Sequence, residues 1–132
     1  MLEIKNLTKS YAGSTTNAVE DLSISLRAGE IYGFLGSNGA GKSTTIKALV
    51  GIHPFQQGDI LIDGISIKSE PLKAKMQIGY VSDNHAVFER LTGREYVTHI
   101  ANLYGVPSAD VAARCEDLLE IFNLKEAFDD YL

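Results

Sequence analysis

Cysteine is almost missing from this chain: Cys115 stands alone, and histidine occurs only three times. A disulfide framework needs paired cysteines and a zinc site needs several Cys or His ligands, so neither is available. Cys115 falls among helical apolar positions and reads as a reduced core residue. Basic charge is also short, with 12 Lys and Arg against 17 Asp and Glu and a formal net charge of -5. Nucleic-acid binding calls for a concentrated basic surface, and this balance argues against it. No apolar run approaches the ~20 residues that cross a bilayer. The N-terminus, Met1-Leu2-Glu3-Ile4-Lys5, has no basic stretch followed by an apolar core and is not a signal peptide. The cytoplasm is therefore the expected compartment. Repeats and low-complexity segments are absent too.

What is present suits one globular domain: 132 residues, 45% of them hydrophobic and 22% charged. Leu2, Ile4 and Leu7 mark a half-buried strand over residues 2–11, followed by a small polar loop at 12–17. Leu22, Ile24 and Leu26 alternate in a second strand, closed by the turn Arg27-Ala28-Gly29-Glu30. Residues 31–35, Ile-Tyr-Gly-Phe-Leu, form a short apolar run of the kind that fills a strand covered on both faces. Residues 42–50 are good helix material, with Gly51 as a natural stop.

Further on, Asp63-Gly64 is a hairpin turn between strands at 59–62 and 65–67, and residues 78–81 make another short buried strand. The character then turns helical. Thr92 and Glu95 form a capping box, with Leu91 placed to pack on Tyr96 and a helix running to about Tyr104 before Gly105. Pro107 and Ser108 open a second helix whose apolar stripe is Val111, Cys115, Leu118, Leu119 and Phe122.

The chemistry gathers at Gly36-Ser37-Asn38-Gly39-Ala40-Gly41-Lys42-Ser43-Thr44, which fits the Walker A phosphate-loop pattern at every constrained position. Glycines permit backbone conformations that turn successive N–H groups inward around phosphates. The helix opening near Lys42 adds unpaired N–H donors and the positive end of its dipole. Lys42 is the cation for β- and γ-phosphates, and the Ser43 hydroxyl is a ligand for Mg²⁺. The expected ligand is Mg-ATP. Ile60-Leu61-Ile62-Asp63 imitates an Mg-binding strand, but Gly64 follows where a glutamate is required, and Asp63-Gly64 is better turn chemistry.

Kinases, GTPases and transport ATPases share such a loop, and the surrounding segments narrow the choice. The run "LEIKNLTKSY", then "AVEDLSISLRAGEIYGFLGSNGAGKSTTIKALVG", closely resembles the start of an ABC-type ATPase domain, and "GDILIDG", "IGYVSD" and "LTGREYV" follow in the family's order. The resemblance covers essentially the whole chain. It implies an α/β fold: a P-loop NTPase core of ABC type, with an antiparallel β-subdomain and the beginning of a helical subdomain. Residues 1–83 would carry the β-subdomain and the phosphate-loop core, and residues 84–132 the Q-loop region and the first helices. Tyr11 matches the aromatic that stacks on adenine; read from its residue type alone, it is a tyrosine at a strand end in partial burial.

Asp83 falls where the family usually has the Q-loop glutamine, which approaches Mg²⁺ and the attacking water. A carboxylate offers oxygen to a hard cation but cannot donate an amide hydrogen bond, which changes the coupling geometry. An acid here, with "LTGREY" and "LYG" nearby, looks more like exporter than importer ATPases. The signature motif, Walker B strand, catalytic glutamate and switch histidine have no counterpart, so the chain reads as the front portion of an incomplete domain. Such a chain would bind nucleotide without hydrolysing it, and would self-associate through its apolar strand. The parent would couple ATP hydrolysis to transport at the inner face of the cell membrane, with a membrane permease and a second ATPase domain as partners. A soluble ABC-type ATPase of translation or DNA repair and a P-loop small-molecule kinase are the alternatives.

Overall fold

The first strand, β1 (Leu2–Ser10), is paired along both edges. It lies between β2 (Asn17–Leu26) and β3 (Gln57–Ile62), and β4 (Ile65–Ser66) completes an antiparallel sheet of order β2-β1-β3-β4. The computed structural model describes residues 1–82 and 88–132, which divide into two units, Met1–Tyr80 and Val81–Leu132.

In the first unit, regular alternation along β1 is broken once. Ile4, Leu7 and Lys9 are all buried, a spacing of three and then two, because the strand bulges at Asn6, whose φ is +49°. The bulge is fixed from both sides. Asn6 donates through Nδ2 to Asp21 Oδ1 at 2.8 Å and through its backbone N–H to Ser23 Oγ at 2.9 Å. On the β3 side, Gly58 sits so close that a Cβ would lie 2.3 Å from the Lys5 carbonyl oxygen. One inserted residue moves everything after it to the opposite face of the sheet, which is how a lysine enters the core register.

Two helices follow sheet strands in this unit, α1 (Lys42–Leu49) and α2 (Pro71–Lys75). Their buried alanines, Ala48 and Ala74, join Ile4, Leu7, Val19, Ile60, Ile62 and Ile67 in one core. Asp63 and Gly64 both have positive φ, +48° and +79°, the backbone of a tight two-residue hairpin. Asp63 also receives the N-terminal ammonium of Met1, so it is spent on the turn and the strand end.

Two expected strands are not formed. Residues 31–35 and 78–81 have no strand assignment, and Ile31, Leu35 and Val81 are 102%, 92% and 86% exposed. An apolar run becomes a strand only where neighbouring strands take up its N–H and C=O groups. Among the described residues, no ladder reaches either run.

The second unit is helical, with α3 (Gly93–Leu103), α4 (Ser108–Ile121) and a 3₁₀ turn at Glu126–Asp129. The capping box forms as expected: Glu95 N–H donates to Thr92 Oγ1 at 3.2 Å, and Thr92 N–H donates to Glu95 Oε2 at 2.9 Å. Tyr96 lies against the ring of Phe88, with centroids 5.3 Å apart. Of the α4 stripe, Val111, Cys115 and Leu119 are half-buried, whereas Leu118 and Phe122 remain exposed. Arg94 lies over the Phe128 ring and holds Asp129 by two hydrogen bonds, of 2.6 and 3.0 Å. Among the described residues no helix is long and apolar enough to cross a membrane.

Candidate functional site

The glycine-rich loop ends where α1 begins, and its geometry follows from two left-handed positions. Gly39 has φ +82° and Gly41, the residue before the helix, has φ +86° and ψ 0°. Placed between ordinary residues, they bring successive N–H groups of a loop round to one side. Gly41 is also pressed against the sheet: a Cβ there would stand 2.4 Å from the Ala18 carbonyl oxygen and 3.2 Å from Val19 Cγ2. The junction of loop and helix is thus seated on β2.

The first turn of α1 is secured from inside. Buried Thr45 donates its N–H and its hydroxyl to the Gly41 carbonyl, at 2.8 and 3.0 Å. No side chain caps the helix start, and its first turn carries no acidic residue. Unpaired N–H donors with the positive dipole end form a place for an anion. Lys42 adds a full charge, its ammonium reaching back across the loop to the carbonyls of Gly36 at 2.6 Å and Ser37 at 2.7 Å. The loop closes on itself through Ala40 N–H and the Ser37 carbonyl, 3.2 Å apart. On a chain with a net charge of -5, this is a local concentration of positive potential.

The structure brings most of the sequence-selected residues together. Gly36, Ser37, Asn38, Gly39 and Ala40 form the exposed loop; Gly41 and Lys42 are half-buried at its end; Ser43 is exposed and Thr44 half-buried on the first helical turn. Tyr11, at the exit of β1, joins them through its hydroxyl, 3.1 Å from Thr44 Oγ1. Asp83 lies outside the described residues. Among the described residues no three His, Cys, Asp or Glu side chains cluster as metal ligands.

Three neighbours of Tyr11 were not singled out from the sequence. The ammonium of Lys9 lies over the ring, 5.1 Å from its centroid. His53 meets the ring edge-on, with centroids 5.9 Å apart and planes at 88°. Gln56 caps the strand beside it, accepting from Ser10 N–H at 3.0 Å and donating to the Ser10 carbonyl at 3.2 Å. Lys9 stands two residues before Tyr11 but reads as an ordinary surface lysine unless the bulge at Asn6 is known. His53 and Gln56 arrive from the loop after α1 and had no readable signal.

Residues 19–132 match the family model described as ABC transporter. The chain is 41% identical over 112 residues to the human phospholipid-transporting ATPase ABCA7, covering 85% of this chain and 5% of that protein. It is 38% identical over 130 residues to the linearmycin resistance ATP-binding protein LnrL of Bacillus subtilis (strain 168), covering 98% of this chain and 41% of the relative. The fold is similar to a solved ATP-binding subunit of an ABC transporter, with a TM-score of 0.90 and 32% identity, covering 99% of this chain and 54% of the other. The chain therefore spans about half the length of that solved subunit, and less of the other two proteins.

Proposed function

The chain belongs to the ABC transporter family, and from that premise we propose that its residues 36–44 hold the phosphates of Mg-ATP for an ATP-binding component that couples hydrolysis to transport. The observation that carries this reading is the Lys42 ammonium lying over a glycine loop whose helix start has no side-chain cap. The residues fit the ligand. Loop and first-turn N–H groups donate to phosphate oxygens, and Lys42 moves from two neutral carbonyls to an anion, which makes stronger, charge-assisted hydrogen bonds. Tyr11 offers a ring to the adenine. Ser43 would supply one hydroxyl to Mg²⁺, with phosphate oxygens and water among its other ligands; Asp83 is a further oxygen donor proposed from sequence position alone.

Bound Mg²⁺ would neutralise charge that builds up on the phosphates. The residues of this chain bind, orient and charge-match the nucleotide. We therefore assign nucleotide binding to these 132 residues and hydrolysis to the parent assembly. Export is the favoured direction on the acid at position 83 with "LTGREY" and "LYG" nearby; relatives carry names for phospholipid transport and linearmycin resistance. The same names favour transport over a role in translation or repair, and the family match leaves a small-molecule kinase without support. A membrane permease and a second ATPase domain are the proposed partners, at the inner face of the cell membrane. Loss of Mg-ATP binding on Lys42→Ala is the test.

A further inference from the structure

Lys9 is 6% exposed, and no ion pair reaches it among the described residues. Its stem lies in the core, and its ammonium sits over the π-face of Tyr11, 5.1 Å from the ring centroid. The placement is built into the strand, because the bulge at Asn6 turns Lys9 into the core register that Leu7 occupies. Tyr11, two residues on, leaves the strand with its ring above that charge. His53 closes one edge of the ring and Thr44 takes the hydroxyl. With one face, one edge and the hydroxyl engaged, Tyr11 as a residue is still 43% exposed.

We propose that Lys9 is a positioning residue for the nucleotide base: it holds Tyr11 from the protein side by a cation–π contact, with His53 as an edge-on stop, so that the opposite face is presented ready to stack on a purine. This rests on the reading of residues 36–44 as an ATP phosphate site. A tyrosine free to rotate must be ordered when a base lands on it, and a ring already held does not bear that cost. Lys9 touches neither base nor phosphate in this account; it acts through Tyr11 alone.

The experiment is calorimetric titration of the 132-residue chain with Mg-ATP and, separately, with magnesium tripolyphosphate, which has the phosphates and no base. Lys9→Met keeps the aliphatic stem and removes the charge; Lys9→Arg keeps a cation able to sit on the ring. Lys9→Met is expected to weaken Mg-ATP binding roughly two- to tenfold. Lys9→Arg should restore it, and tripolyphosphate affinity should be the same in all three proteins. Unchanged Mg-ATP affinity in Lys9→Met, or equal losses for both ligands, overturns the inference while leaving the phosphate site standing. Failure of the unsubstituted chain to bind either ligand removes both readings together. Should Lys9→Met not fold, the proton resonance of the Lys9 ε-methylene decides. A ring-current shift upfield that disappears in Tyr11→Leu supports the contact, and an ordinary position in the unsubstituted chain overturns it.

Discussion

Tyr11 and Thr44 meet hydroxyl to hydroxyl at 3.1 Å, tying the end of β1 to the first turn of α1. The contact links the aromatic at the strand exit to the glycine-rich loop, although the two are 33 positions apart in sequence. Tyr11→Phe removes this link and keeps the ring, whereas Tyr11→Ala removes both. Loss of stacking is worth roughly 1–3 kcal/mol, by analogy with base stacking on aromatics, and loss of one exposed hydroxyl bond about 1 kcal/mol or less. Titration with Mg-ATP should therefore show a small loss for Tyr11→Phe and a larger one for Tyr11→Ala, with tripolyphosphate affected by neither. Equal affinity of Tyr11→Ala and the unsubstituted chain would remove Tyr11 from the site.

Gly41 and Gly39 have almost the same backbone angle but different surroundings, and they should respond differently to alanine. A Cβ on Gly39 meets nothing within 4 Å, while one on Gly41 meets the Ala18 carbonyl at 2.4 Å. Gly39→Ala bears only the left-handed strain, about 1–2 kcal/mol. Gly41→Ala adds a backbone clash and should lose roughly 2–4 kcal/mol in denaturant unfolding. Similar losses at both positions would mean that α1 is not seated on β2 as described.

Much of this candidate site is legible in the sequence. The loop pattern, the Asp63-Gly64 turn and the Thr92–Glu95 box are local chemistry, and local chemistry is written in adjacent residues. The apolar runs at 31–35 and 78–81 were legible as buried-strand sequence but not as strands here, because a strand is a relation between segments. The Asn6 bulge escaped for a similar reason: it depends on Asp21, Ser23 and Gly58 closing on it from two other strands. With it went the one residue whose placement reverses the simple reading, since Lys9 looks like a surface lysine until the register slips.

Asp129 should give the second unit a distinctive acid response. The hydrogen bonds from Arg94 hold its carboxyl below the usual carboxylate range, outweighing the desolvation that opposes them, and the guanidinium charge adds to the effect. A depressed folded-state value stabilises the fold above the ordinary Asp range, and that contribution is lost as pH falls through the folded value. Circular-dichroism melts across an acidic pH series should show the thermal midpoint of the unsubstituted chain falling more steeply than that of Asp129→Asn. The contribution is small, because both partners are exposed. Parallel curves would show that the pair contributes nothing.

Ile31 and Leu35 lie open on a run with the composition of a core strand. Covering a few hundred Å² of such surface is worth several kcal/mol, at roughly 25 cal/mol per Å², so copies of this chain should associate through it. Sedimentation equilibrium over a tenfold concentration range is expected to show dimers or larger species, and Ile31→Lys with Leu35→Lys should shift them to monomer. A monomer at every concentration in the unsubstituted chain would contradict this.

The most direct measurement is calorimetric titration of Mg-ATP into the unsubstituted chain and into Lys42→Ala. The chain should bind, and the substitution should abolish most of the affinity, because Lys42 is the cation that spans the loop at Gly36 and Ser37. Equal affinity in the two proteins would contradict the assignment of residues 36–44 as the phosphate site.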